Sequence, residues 1–283
     1  MWENTAMRLA RHGLPGAEKP LACGADGLWR DLRPVTADLD PGTLPAVLAG
    51  VALDELPVVA HPARFGPPLA RIGKVVCIGL NYRDHAAETG VPIPQEPIVF
   101  LKTPDTVIGA DDQVLIPRRS VKTDYEVELA VVIGREARYL ADETAAAACI
   151  AGYAISNDVS EREFQLERGG QWDKGKNCET FNPLGPWLVT AEEIADPQAL
   201  GLRLRVNGQL RQEGSTKNMI FGVRYLVWYL SQFMVLRPGD VINTGTPAGV
   251  ALGLAGQPYL REGDVVELEI DGLGRQRQTM GQA

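Results

Sequence analysis

Residues 123–134 read TDYEVELAVVIG, a run of strand-like composition that carries two acids, Glu126 and Glu128, at its head. Side chains alternate across a strand, so Tyr125, Val127, Leu129, Val131 and Ile133 share one face, and Glu126, Glu128, Ala130 and Val132 share the other. The second face starts charged and turns apolar. Two carboxylates aimed into one pocket repel each other and resist desolvation unless something positive neutralises them. That partner is either a Lys or Arg side chain or a hard metal ion. On these residues alone, a hydrated strand end and a cation site both stay open.

The surrounding chain narrows the class of protein. With 283 residues, 45% of them hydrophobic, it can bury one large core with an appendage or two ordinary cores. No stretch approaches the roughly 18 uninterrupted apolar residues of a membrane span, and MWENTAMRLARHG lacks the apolar centre of a signal peptide, so a soluble, cytoplasmic protein is expected. Met7 reads as a native start, and residues 1–6 are set apart from the fold argument. The net charge of −8, with no basic run, argues against a nucleic-acid partner. Cys23, Cys77, Cys149 and Cys178 are scattered without a Cys-x-x-Cys pair, which suggests reduced thiols and no zinc site.

Pro and Gly punctuate residues 7–71, which predict a small β-rich N-terminal domain (1–70) ending in the linker HPARFGPPLARIG. Beyond it, residues 71–283 are expected to form a mainly β, α+β domain with strands in KVVCIGLN, PIVFLK, DQVLIP, YEVELAVVIG, GYAISNDV, PLGPWLV, LRLRVNG, DVINTG and DVVELEID. ADETAAAACIAG reads as a helix feeding a strand. One long helical window, residues 218–234, repeats Ile220, Val223, Val227, Leu230 and Phe233 or Met234 at helical spacing. Residues 167–181, ERGGQWDKGKNCETF, read as a mobile loop.

Candidate chemistry gathers where strands end. Asp158, in GYAISNDVSER, adds a third acid that either converges with Glu126 and Glu128 or serves as a turn residue. Three carboxylates without nearby Cys or His are ligand chemistry for Mg²⁺ or Mn²⁺. In NYRDHAAETG, His85 and Glu88 share a helix face, which reads equally as a pair suited to activating water and as an ordinary solvated helix start. Lys174 and Lys176 could bring a cation onto an anionic substrate from the Gly-rich loop. The hydroxyl of Thr246 and the backbone N–H groups of NTGTPAGV could cradle a carboxylate.

Together, IGLNYRDHAAE, FLKTPDTVIG, DYEVELAVVIG, GYAISNDVSERE and NTGTPAGV resemble, in order, the motifs of the fumarylacetoacetate hydrolase family, from about residue 71 to the end. The resemblance implies a β-rich mixed fold, a homodimer, and Mg²⁺ or Mn²⁺ held by Glu126, Glu128 and Asp158. It further implies His85 and Glu88 as the water-activating pair, Lys176 as the lid lysine, and substrate contacts from Arg162, Gln165, Lys102 and Thr246. Glu179 departs from the Asp common before TF, which bears on the lid. Within the family the chain looks most like hydrolases that split 2,4-diketo-3-deoxy-L-fuconate or L-rhamnonate into pyruvate and lactate. A decarboxylase, an isomerase, a ureidoglycolate lyase and a non-catalytic keto-acid binder are the alternatives.

Overall fold

A computed structural model describes residues 6–62 and 64–283; residues 1–5 of the stretch set apart above, and Ala63 of the linker, lie outside the described residues. Runs rich in β-branched and aromatic side chains form many of the strands. In chain order these are β1 (Arg8–His12), β2 (Lys19–Cys23), β3 (Trp29–Asp31), β4 (Val75–Gly79), β5 (Ile98–Lys102), β6 (Val107–Ile108), β7 (Val114–Ile116), β8 (Thr123–Asp124), β9 (Val127–Ile133), β10 (Ile150–Asn157), β11 (Ser160–Glu161), β12 (Asn182–Thr190), β13 (Gly201–Val206), β14 (Gln209–Ser215), β15 (Val241–Asn243), β16 (Val265–Ile270) and β17 (Gly274–Gln282). The α-helices are α1 (Leu44–Ala49), α2 (Arg83–Thr89), α3 (Glu143–Ala147), α4 (Asp173–Lys176) and α5 (Val223–Ser231).

Every residue of β9 and β10 is buried, which places this pair at the centre of a ten-stranded mixed sheet ordered β3-β2-β1-β12-β10-β9-β15-β4-β5, with β6 attached to β12. The alternation in β9 is realised as two cores. Val127, Leu129, Val131 and Ile133 face a second, five-stranded sheet (β14-β13-β16-β17-β7) through Leu202, Leu204, Val266 and Leu268, while Ala130 and Val132 belong to a second cluster that also holds Leu44, Val47 and Leu48 of α1. A strand buried on both faces loses the polar alternation of a solvent-facing strand. The architecture is mixed α+β and sheet-rich.

The N-terminal strands do not build a sheet of their own. β1 pairs antiparallel with β12, Arg8 opposite Val189 and Leu9 opposite Leu188, so residues 8–31 extend the central sheet at one edge. β14 and β17, outside the expected strands, carry polar sequences because they turn glutamines inward. Gln276 Nε2 donates to the carbonyls of Ile155 (2.8 Å) and Gly185 (3.0 Å), and Gln212 Nε2 donates to Thr246 Oγ1 (2.8 Å). Hydropathy carries no signal for such a strand.

Residues 218–234 are helical only over Val223–Ser231, because Gln198 Oε1 accepts from Val223 N at 2.6 Å beside the N-cap Gly222. The buried stripe is Val223, Leu226, Val227 and Leu230; Met234 packs partly against the core, and Phe233 points outward, 68% exposed. α3 is the helix expected ahead of β10, and its N-cap Asp142 accepts from Ala145 N. In chemical unfolding, Leu230→Ala should therefore cost about 2–5 kcal/mol, whereas Phe233→Ala should change stability by less than about 0.5 kcal/mol. Equal losses would mean the helix face is assigned wrongly.

Candidate active site

β9 begins where its antiparallel neighbour β10 ends, with Asn157 opposite Val127 and Ser156 opposite Glu128. One residue beyond each strand, Asp158 N donates to the Glu126 carbonyl at 3.0 Å. Register alone thus brings Glu126, Glu128 and Asp158 to one end of the sheet, all buried, with a carboxylate oxygen of each within 4.8 Å of the others.

Both kinds of neutralisation foreseen for this face have a basis here. Lys176 Nζ donates to Glu126 Oε2 (2.8 Å) and Asp158 Oδ2 (2.9 Å), and Arg162 spans Glu126 Oε1 (2.7 Å) and Asp124 Oδ2 (2.8 Å). Lys102 Nζ takes the second oxygen of Asp158 and donates to the carbonyls of Val159 (3.0 Å) and Phe181 (2.6 Å). Burial opposes ionisation of Glu126, but the charges of Lys176 and Arg162 outweigh it and hold this carboxyl below its usual range. Glu128 is different: burial, then Asp158 and Glu126, push its carboxyl well above the ordinary value. Its hydrogen-bond donor is a backbone group, Gly245 N at 2.8 Å. Lys176 and Arg162 stay firmly cationic, because the acids facing them overcome the burial that would favour neutrality.

Four acids (Asp124, Glu126, Glu128, Asp158) against three cations (Lys102, Arg162, Lys176) leave Glu128 without a basic partner. The hard oxygen donor set and this uncompensated carboxylate fit a divalent cation such as Mg²⁺ or Mn²⁺.

A cavity of about 460 Å³ opens over Glu126 and Glu128, and His85, Glu88, Arg162, Gln165, Lys176 and Thr246 also line it. On α2, His85 Nδ1 lies 3.2 Å from Glu88 Oε2. An ionised carboxylate accepts, so Nδ1 is the donor of this contact and Nε2 is the ring nitrogen it leaves free. Glu88 Oε1 accepts from Gly249 N (2.9 Å), and a β-carbon on Gly253 would sit 2.5 Å from Glu88 Cδ, so only glycine leaves room for this acid.

Not every expected substrate contact faces the cavity. Lys102 has all three donors committed behind Asp158 and is absent from the lining, which makes it a support for that acid. The Thr246 hydroxyl donates to the Val127 carbonyl (2.9 Å) and accepts from Gln212, so it straps the TGTP turn onto the head of β9. Gln165 Oε1 accepts from Arg162 Nη1 at 2.9 Å. Lys174 Nζ turns to the Arg168 carbonyl (2.7 Å), and Glu179 is exposed and outside the lining, so its departure from Asp leaves the cavity wall untouched. Asp124 was not foreseen. It accepts from Ala251 N (2.8 Å) and Leu252 N (3.0 Å) while gripping Arg162, and the signal available was its place two residues before Glu126.

The family described as fumarylacetoacetate (FAA) hydrolase C-terminal matches residues 74–280. A Burkholderia multivorans protein with a provisional hydrolase name and no stated substrate is 52% identical over 277 residues, covering 96% of this chain and 98% of that one. Fumarylacetoacetate hydrolase from the psychrophile Exiguobacterium antarcticum has a similar structure, with a TM-score of 0.86 at 34% identity over 98% of this chain and 100% of that one. The 5-carboxymethyl-2-hydroxymuconate delta-isomerase from Mycobacterium smegmatis gives 0.78 at 32% identity over 98% and 99%. The chain therefore belongs to the fumarylacetoacetate hydrolase family and is an enzyme of that family. No helix among the described residues is long and apolar enough to cross a membrane.

Addition of Mg²⁺ should raise the melting temperature by mass action, and a chelator should reverse it. Glu128→Gln should abolish the metal-dependent rise without lowering the metal-free melting temperature, since the change relieves repulsion. A mutant that keeps the full Mg²⁺ shift would remove Glu128 from the ligand set.

Proposed function

We propose that this protein hydrolyses the C3–C4 bond of a 2,4-diketo acid, releasing pyruvate, and that 2,4-diketo-3-deoxy-L-fuconate or L-rhamnonate, which would also yield lactate, is the natural substrate. The observation that carries this is the His85–Glu88 pair, 3.2 Å apart, in the same cavity as the acid cluster. A divalent cation held by Glu126, Glu128 and Asp158 would supply Lewis acidity toward the 1-carboxylate and 2-oxo oxygens. The protein's own residues do the rest. His85 Nε2 takes a proton from water as the water oxygen attacks C4, and Glu88 holds the imidazole in the required tautomer and supports its positive charge. The C3–C4 electron pair leaves as the enolate of pyruvate, and the proton that His85 took from water passes to C3, which gives the ketone and returns the imidazole to its starting state. The buried ammonium of Lys176 places positive charge at the site where oxyanion character develops.

An isomerase acting on a related dienoate acid is the second reading, supported by the muconate isomerase among the structural neighbours. Isomerisation and decarboxylation need no attacking water, so a water-activating His85 matters less to either than to hydrolysis, and oxaloacetate serves as the water-free comparison. His85→Ala should lower hydrolysis of a diketo acid by roughly 10²- to 10⁴-fold, while any oxaloacetate decarboxylation survives better in the same preparation. Equal losses in both assays would reduce His85 to a positioning role, and unchanged hydrolysis would remove it from the chemistry.

We also propose that residues 167–177 act as a lid over the cavity. Trypsin cleavage at Arg168 and Lys174, both on this segment, should slow when a keto acid is bound with Mg²⁺. Identical cleavage with and without ligand would argue against a lid.

A further inference from the structure

The cavity is chemically two-sided. Around the acids it is charged; elsewhere Ile78, Leu80, Val91, Phe100, Trp172 and Leu252 contribute apolar wall. The described lining contains two Lys or Arg side chains, Arg162 and Lys176, and both are already ion-paired to the acid cluster.

Trp172 is held in this wall from three directions. A β-carbon built on Gly79, the last residue of β4, would lie 2.5 Å from Trp172 Cζ3 and 3.1 Å from Cη2, so the indole rests on bare backbone that only glycine offers. Its ring meets Phe100 edge-on, with centroids 5.7 Å apart at 66°. Just after it, α4 is tied to the edge strand β5: Leu101 N donates to Asp173 Oδ1 (3.1 Å), and Asn177 Nδ2 donates to the Leu101 carbonyl (3.0 Å). Lys176, at the other end of α4, sets its Nζ 5.0 Å from the Phe100 ring centroid. Indole and ammonium are thus two ends of one short helix pinned at the sheet edge, one facing the apolar part and the other the acids.

We infer that Trp172, seated on Gly79 and against Phe100, is a specificity-determining residue that closes the apolar end of the cavity around an uncharged acyl substituent and rejects substrates with a second carboxylate. The inference rests on the proposed acylpyruvate function for which end of the substrate reaches this wall. An ionised group enclosed there would lose its hydration and find no free counter-charge, a cost that an alkyl or hydroxyalkyl tail avoids. The diene dioate substrates of an isomerase would carry such a group.

Two inert probes of equal length test this: 2-oxohexanoate and 2-oxohexanedioate, titrated calorimetrically into the full-length protein with saturating Mg²⁺. The wild type should bind the monoacid at least about tenfold more tightly. Trp172→Ala, which opens that end to water, should bring the ratio toward one; Gly79→Ala, which keeps the indole but displaces it, should do so in part; and Trp172→Phe should retain most of the preference. Equal binding of both probes by the wild type, binding of neither, or an undiminished ratio in both Trp172→Ala and Gly79→Ala would overturn the inference. Because binding is read without turnover, a preference seen in a protein that fails to cleave acylpyruvates supports the wall assignment while sinking the hydrolase assignment.

Discussion

Glu126, Glu128 and Asp158 hold carboxylates within 4.8 Å of one another at a buried strand end. Such a cluster is tolerated only because charge of the opposite sign is built around it: Lys102 and Lys176 on Asp158, Lys176 and Arg162 on Glu126. Desolvating these groups costs several kcal/mol per ion, and removing one partner from a buried pair commonly costs about 3–5 kcal/mol, since the other charge is left bare. The cations must therefore be delivered accurately, and much of the local fold serves that delivery. β5 carries Lys102, the N-cap of the π-helical segment Glu163–Glu167 after β11 carries Arg162, and α4 carries Lys176.

The opposite end of the cluster is held differently. Glu128 receives a backbone N–H from Gly245 where its neighbours receive ammonium or guanidinium groups, and its carboxyl is correspondingly resistant to ionisation. The TGTP turn that supplies this N–H is itself strapped to β9 by Thr244 Oγ1 on the Leu129 carbonyl (2.8 Å) and Thr246 Oγ1 on the Val127 carbonyl (2.9 Å). Glu128 is thus, among the described residues, the acid of this cluster with no basic side chain against it.

Across the cavity, α2 and the 249–253 segment share Glu88, which orients His85 and accepts from Gly249 N. Asp124 ties that same segment, through Ala251 N and Leu252 N, to Arg162 and hence to Glu126. His85 and the acid cluster are thus joined through hydrogen bonds that meet on the backbone of residues 249–252, so their separation is set by rigid elements. Trp172 and Lys176 are set by one element in the same way, which couples the apolar wall to the charged one.

Much of this could be read from the sequence, and for physical reasons. Strand alternation put Glu126 and Glu128 on one face, and helical spacing paired His85 with Glu88, because both periodicities are local properties of the backbone. The ordered motifs from IGLNYRDHAAE to NTGTPAGV indicated the family. What the sequence could not provide was non-local. Placement of Asp158 beside Glu126 depends on the β9–β10 register, and the attachment of β1 to β12 depends on pairing between segments far apart in the chain. Lys102 and Thr246 are ordinary polar residues in their windows; only packing shows that one supports Asp158 from behind and the other fastens a turn. Inward glutamines hid β14 and β17, since a buried amide is satisfied by a carbonyl that hydropathy does not register. Trp172 against Gly79 is the clearest case: an aromatic in a glycine-rich loop gains a role only when a distant strand ends in a residue with no side chain.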